Sequence, residues 1–204
     1  MQKRGKKYVL WLAIFLVISF IAIFSSNAFA LERCNQYSHD VRIQHWTYFN
    51  TNYPWQYGVG QLQQESGCRS QITSFDLGRG IAQFMPRTEE YCERVLGPLN
   101  MYNPRHAIKA QAWYMSKIHK ENWDGALWIT YQIYNGGSTN LRNEYNRAGV
   151  TNHGIMRTYC HRKIITLKSG SKLDFCEVNY DYSKKIFKYG NTYRTLSVSK
   201  WRYW

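Results

Sequence analysis

The sequence predicts an α+β fold that is mainly α-helical, and three observations carry that reading. Ile108, Ala112, Met115 and Ile118 recur at helical spacing, and Ala126, Ile129 and Ile133 do so again after a break. Residues 66–80 are rich in Ser, Gly, Thr and Asp, the composition of a loop or a short irregular sheet. Short β-like runs such as Ile164-Ile165-Thr166-Leu167 come only towards the C-terminus.

The chain opens on Lys3, Arg4, Lys6 and Lys7, then an apolar run from Tyr8 to about Phe24, then Ala28-Phe29-Ala30. Basic start, apolar middle and small-residue site are the three parts of a secretory signal peptide, so residues 1–30 are expected to be removed on export. The alternative is an uncleaved membrane anchor facing the periplasm. Residues 31–154 are expected to form one domain. Residues 155–204, basic and aromatic and ending Trp201-Arg202-Tyr203-Trp204, are expected to be an extension packed on it.

The helices follow in order. Asn52-Tyr53-Pro54 opens one that runs to about Glu65, where Gly58 and Gly60 lower propensity but permit close packing. Pro86-Arg87-Thr88 opens the next, with Thr88 as its cap and Glu89 and Glu90 at the positive end of its dipole; Gly97-Pro98 stops it. Residues 105–120 form a third, whose apolar stripe is read as core. Asp124 is expected to cap a fourth, which ends at Asn135-Gly136-Gly137.

Charge is unevenly placed. Residues 155–204 hold 11 Lys+Arg against 3 Asp+Glu, while residues 31–154 hold 12 against 10. Such a tail attracts polyanions at long range. In an exported protein these are acidic wall peptides, anionic wall polymer or anionic lipid; nucleic acid suits the charge but not the export signal. All five cysteines (Cys34, Cys68, Cys92, Cys160, Cys176) follow the leader, so disulfides are expected. Connectivity is open; local proximity favours Cys68–Cys92 and Cys160–Cys176. No C-x-x-C is present and Cys160-His161 are adjacent, so a zinc site is not expected.

Glu65 is the residue on which chemistry converges. It sits in Gln64-Glu65-Ser66-Gly67 at a helix end, with Gly80-Ile81-Ala82-Gln83-Phe84-Met85-Pro86 and Tyr134-Asn135-Gly136-Gly137 downstream. Cleaving a glycosidic bond needs a proton on the leaving oxygen, and a carboxyl supplies it near neutral pH when its pKa is raised. A second carboxylate is the usual partner, and Asp76 is the candidate, although its context reads as a turn. A one-acid route is the alternative. There the substrate's acetamido group stabilises the cationic centre, and the same carboxylate then takes a proton from a sugar hydroxyl that closes an internal anhydro ring. Gln83, Tyr134 and Asn135 offer hydrogen bonds suited to sugar hydroxyls and amides.

Taken together these motifs resemble the soluble lytic transglycosylase family, bacterial enzymes with a lysozyme-like fold that cleave peptidoglycan. Glu65-Ser66 with Ser74 matches the first family motif, the segment from Gly80 to Pro86 the G-L-M-Q-x-M-P motif, and Tyr134-Asn135-Gly136-Gly137 the A-Y-N-x-G motif. Asn103-Pro104 and Ala107-Ile108 echo the D-P…N-I segment between them. The resemblance covers residues 54–148. Departures are Cys68 in place of an aromatic, where a disulfide could replace packing, Leu77-Gly78 for Gly-Ala, Ala82 for methionine and Ile133 for alanine. The resemblance implies a lysozyme-like domain with Glu65 as the sole general acid/base and with no metal or cofactor. It implies cleavage of the β-1,4 link between N-acetylmuramic acid and N-acetylglucosamine, leaving a 1,6-anhydromuramic end. Ser66, Gln83, Met85, Tyr134 and Asn135 would meet the glycan strand. A fourth family motif supplies a tyrosine beside the acid, for which Tyr159 is the match here. A wall-binding module that holds glycan without cutting, and a lysozyme-type hydrolase, are the competing readings.

Overall fold

The computed structural model describes residues 29–161, 163–166 and 170–193. The basic and apolar parts of the expected leader and the terminal Trp201-Arg202-Tyr203-Trp204 lie outside the described residues. Helix α1 (Ser38–Tyr48) is followed by α2 (Gln56–Ser66), α3 (Pro86–Leu96), α4 (Pro104–Glu121), α5 (Leu127–Gly136), α6 (Ser138–Ala148) and α7 (His153–Thr158). A hairpin of β1 (Ile164–Thr166) and β2 (Lys172–Asp174) then leads into α8 (Phe175–Thr192). The hairpin is antiparallel, with Ile165 opposite Leu173. No helix among the described residues is long and apolar enough to cross a membrane.

Two apolar clusters make the core. One gathers Tyr53, Tyr57, Met115, Trp128, Tyr131, Tyr180 and Ile186; the other gathers Val59, Leu62, Ile81, Phe84, Met101 and Ile108. Helix α2 contributes to both, Tyr57 to the first and Val59 and Leu62 to the second, so its C-terminal end emerges where the two meet. The stripe expected of α4 is buried throughout, at Ile108, Ala112, Met115 and Ile118. Residues 66–80, expected as a loop or a short irregular sheet, form a loop in which single bridges pair Thr73 with Arg79 and Arg79 with Phe84.

Two expected caps are corrected. Thr88 lies inside the first turn of α3, because Pro86 occupies the first helical position with its φ already suited to it, behind an extended Met85. Asp124 does not cap α5, which begins after an extended Ala126. Asn122 organises that turn instead: its Oδ1 accepts from the amides of Asp124 (2.9 Å) and Gly125 (3.2 Å), and its amide donates to the Ala126 carbonyl at 2.7 Å.

The segment expected as an extension carries a helix that sequence reading missed. Helix α8 packs more extensively on α2 than any other pair of elements packs together. Cys176, Tyr180, Ser183, Phe187 and Gly190 recur on its buried face at helical spacing. Asp174 caps it, accepting from the amides of Cys176 and Glu177, and Asp174-Phe175-Cys176-Glu177 has capping-box form. The approach to α2 is close because glycines meet there. A Cβ on Gly60 would lie 2.6 Å from the Ile186 carbonyl oxygen and 2.7 Å from the Gly190 nitrogen, and one on Gly190 would lie 2.2 Å from Tyr57 Cδ1.

Of the two expected disulfides, Cys160–Cys176 is present and ties the base of the hairpin to the first turn of α8. Cys68 pairs with Cys34 instead of Cys92. Cys68 follows the end of α2 and faces the N-terminal helical residues, whereas Cys92 is buried on α3, its thiol pushed up to about 12 by desolvation and then by Glu89 and Glu93. Replacing Cys34 and Cys68 by serine opens a crosslink spanning 34 residues. The expected loss is about 4 kcal/mol of stability from loop-closure entropy, read as a lower denaturant midpoint; a loss below about 1 kcal/mol contradicts this role.

Candidate active site

Glu65 occupies the last turn of α2, which ends on left-handed Gly67. The residue is half-buried, and Tyr182 of α8 meets its carboxyl. Desolvation is the main reason its pKa rises to about 8; the hydrogen bond from Tyr182 opposes that rise, and the charge of Asp76 adds to it. Tyr182 Oη donates to Glu65 Oε1 and accepts from Gln61 Nε2 at 3.3 Å. Gln61 Oε1 in turn accepts from Gln111 Nε2 at 2.9 Å, and Gln111 also donates to the Gly58 carbonyl at 3.3 Å. Gln61, Gln111 and Tyr182 are buried. The phenol is thus held by a polar chain that runs through the core to the acid.

The tyrosine beside the acid is therefore Tyr182, two turns into α8, and not Tyr159. Tyr159 ends α7, is 42% exposed and lines a separate cavity with Asn135 and Asn179. The fourth-motif expectation failed because the helix that carries Tyr182 was not seen. Tyr182 stands two residues after Tyr180 on the buried side of that helix, and the capping box at Asp174 was the available signal.

The other expected residues divide by exposure. Ser66 was expected to meet glycan, but it is 3% exposed. Its hydroxyl donates to the Ile81 carbonyl at 2.7 Å and accepts from the Arg69 amide at 3.1 Å. It therefore ties the acid-bearing helix to the 80–86 loop. Gln83 stands at φ 52°, a left-handed conformation costly for a residue with a Cβ, and its amide donates to the Gly80 carbonyl at 2.7 Å. Gly80 itself must be glycine twice over: φ is +68°, and a Cβ would fall 1.7 Å from the Met101 carbonyl oxygen. Met85 is 42% exposed at the end of this loop.

Tyr134 packs against Phe84 and Tyr114, with ring centroids 6.0 and 5.7 Å away, and donates to the Ala82 carbonyl at 2.8 Å. Its phenol is held well above the ordinary value by desolvation first and by the Glu65 charge second, which puts it in electrostatic reach of the acid. Asn135 is exposed, and its amide donates to Asn179 Oδ1 on α8 at 2.9 Å. Asp76 is exposed in the 74–78 turn, where Ser74 Oγ donates to its Oδ1. Among the described residues no group of His, Cys, Asp and Glu is placed to hold a metal ion.

Two cavities flank the third motif and share Gly136, Asn140 and Asn143. The larger, about 900 Å³, lies against Tyr91, Tyr114 and Trp123; the smaller, about 500 Å³, lies against α6, Tyr159, Cys160, His161 and α8.

A single desolvated carboxyl, fed by a buried tyrosine and set beside polar, glycine-rich loops in a mainly helical fold, defines an acid site of the lysozyme-like type. The transglycosylase SLT domain profile matches residues 51–154, half of the chain, and the chain belongs to that family. No curated protein matches it. Among solved structures it is similar to an inactive mutant of the lytic transglycosylase Slt from Pseudomonas aeruginosa. That likeness has a TM-score of 0.50 and 20% identity, and it covers 68% of this chain. The chain spans only 22% of that structure's length. The shared feature is the lysozyme-like fold.

Proposed function

We propose that this protein is an exported peptidoglycan lytic transglycosylase with Glu65 as its one acid/base. The observation that carries the reading is the Glu65 carboxyl itself, desolvated, raised to about 8 and touched by Tyr182. A carboxyl in that state holds a proton at neutral pH. It gives that proton to the glycosidic oxygen as the bond from C1 of N-acetylmuramic acid to N-acetylglucosamine breaks. The acetamido carbonyl of the muramic residue stabilises C1. The Glu65 carboxylate then takes the proton of the C6 hydroxyl, whose oxygen closes on C1. No water is consumed, and the new end is a 1,6-anhydromuramic residue. Tyr182 donates to the carboxylate when it forms, and Tyr134, Asn135, Gln83 and Met85 line the path of the glycan. Tyr91, Tyr114 and Trp123 extend that path with aromatic faces suited to pyranose rings.

Two disulfides support export into an oxidising compartment, the periplasm or cell envelope. One observation favours a lysozyme-type hydrolase instead: the Asp76 charge is felt at Glu65, as a second carboxylate's would be. Against it, Asp76 is exposed and engaged by Ser74 in its own turn. Rates on purified sacculi separate the two. Asp76→Asn is expected to keep activity within about threefold, whereas a lost nucleophile or base costs about 10²-fold or more. A loss of that size moves the reading to the hydrolase.

A further inference from the structure

Gly58, Gln61 and Glu65 follow one another at helical spacing and share one face of α2. Gln61 meets Gln111 of α4 and Tyr182 of α8, and both glutamines are fully out of solvent. Carboxamides so deep are tolerated only where they are hydrogen-bonded, and each donates at nitrogen and accepts at oxygen, so its direction matters. The backbone sets that direction here, because the Gly58 carbonyl can only accept. The end of Gln111 that meets it at 3.3 Å is therefore Nε2, and reversal would set oxygen against oxygen. The same nitrogen donates to Gln61 Oε1 at 2.9 Å. Gln61 is thereby turned with its Nε2 towards Tyr182, to which it donates at 3.3 Å. The phenol accepts there, and its one proton is left for Glu65 Oε1.

That direction decides where the acid keeps its own proton. A neutral carboxyl carries one hydrogen, on one of its two oxygens. Oε1 already accepts from Tyr182, so it serves as the carbonyl oxygen and the hydrogen sits on Oε2. A phenol free to turn would accept from Oε1 instead, and the proton would be held within the protein. We infer that Gln61 and Gln111 are positioning residues: they fix the direction of the Tyr182 hydroxyl and, through it, keep the transferable proton of Glu65 on Oε2, the oxygen that Tyr182 does not occupy. The inference rests on the glycan reading above for where that proton goes, though not for where it is held. Transfer runs from Oε2 to the glycosidic oxygen, while Oε1 keeps its bond to Tyr182. Among the described residues the titratable groups in electrostatic reach of this carboxyl are Tyr182 from α8, Tyr134 from α5 and Asp76 from the 74–78 turn. Tyr134 is bonded to Ala82 and Asp76 to Ser74, so Tyr182 is the one of the three bonded to Gln61.

Gln61→Met and Gln111→Met test this, since each keeps the side chain's length, drops its carboxamide and leaves the core filled. On sacculi, Gln61→Met is expected to lower kcat about tenfold with KM within about twofold of the parent, and Gln111→Met to act in the same direction. Both are expected to carry the alkaline limb to higher pH, because an acid that donates to Tyr182 gives up its proton less readily. In a Tyr182→Phe background, Gln61→Met is expected to change kcat by less than about twofold, since the hydroxyl it acts through is gone. An equal loss in both backgrounds, or parent kcat in Gln61→Met, overturns the inference and reduces the glutamines to packing. The same comparison needs no turnover when the Glu65 carboxyl carbon is titrated by carbon-13 NMR. Its midpoint is expected to rise by about half a pH unit or more in Gln61→Met, and Gln61→Met is expected to add no rise to Tyr182→Phe. A midpoint equal to the parent's, or an equal rise in both backgrounds, overturns the inference, and anhydro ends released by the parent then leave the transglycosylase reading standing. The expected midpoints with no glycan cut by the parent support the positioning role and sink that reading instead.

Discussion

Glu65→Gln is expected to lower turnover of sacculi by at least about 10³-fold while making the folded protein more stable at alkaline pH. The activity loss follows because glutamine supplies neither the proton for the leaving oxygen nor the base for the C6 hydroxyl. The stability gain follows from linkage. The folded carboxyl titrates at about 8 against an ordinary value of 4.5. Between those values the folded state holds a proton that the unfolded state has released, so the parent loses stability as pH rises through that window. Glutamine has no such proton to lose, and its Oε1 still accepts from Tyr182. The stability difference between variant and parent therefore widens from pH 5 to pH 8, to about 1–3 kcal/mol once solvent screening is allowed for. Parallel unfolding midpoints across that range would contradict a desolvated acid. In the parent, kcat/KM is expected to fall as pH rises through about 8, because the donor proton is lost there.

Gly60→Val is expected to have the second largest effect, because it strikes the architecture that brings the acid and its tyrosine together. The new Cβ meets the Ile186 carbonyl and the Gly190 nitrogen, both backbone atoms, so no rotamer change relieves the clash. Helix α8 must move away from α2, at a cost of about 2–4 kcal/mol. Tyr182 moves with it. A displacement of about 1 Å at a reacting group costs on the order of 10²-fold in rate. Tyr182→Phe serves as the control, since it removes only the hydroxyl. Losing that hydrogen bond is expected to raise the Glu65 pKa further and to carry the alkaline limb of kcat/KM to higher pH. Thermal unfolding and kcat/KM on both variants check the argument; wild-type stability and rate in Gly60→Val would mean that the α2–α8 contact does not set the site.

What the sequence made legible followed from local rules. The α4 stripe, the α2 helix ending about Glu65 and the irregular 66–80 segment each depend on short-range periodicity or composition, and each is found. The tolerance of Gly60 for close packing was readable too, though not the identity of its partner, because Gly190 lies 130 positions away. Long-range choices were not readable. Cys92 is the nearer partner for Cys68 along the chain, but the fold chose Cys34 because the N-terminal residues return to the end of α2. Tyr182 was not legible, because the basic, aromatic composition of residues 155–204 masks the 18-residue amphipathic helix that carries it. Ser66 reads as a polar neighbour of the acid, yet a buried carbonyl at Ile81 claims its hydroxyl. Gln61 and Gln111 gave no signal at all except the four-residue spacing from Gln61 to Glu65, which places them on one face of α2.

The central claim is that one carboxyl cuts glycan without water. It is tested most directly by digesting purified sacculi with the protein and weighing the released muropeptides. The account predicts fragments one water lighter than reducing-end muropeptides, carrying 1,6-anhydromuramic ends, from the parent and from Asp76→Asn, and none from Glu65→Gln. Reducing ends from the parent, or sacculi left intact by it, would contradict the account.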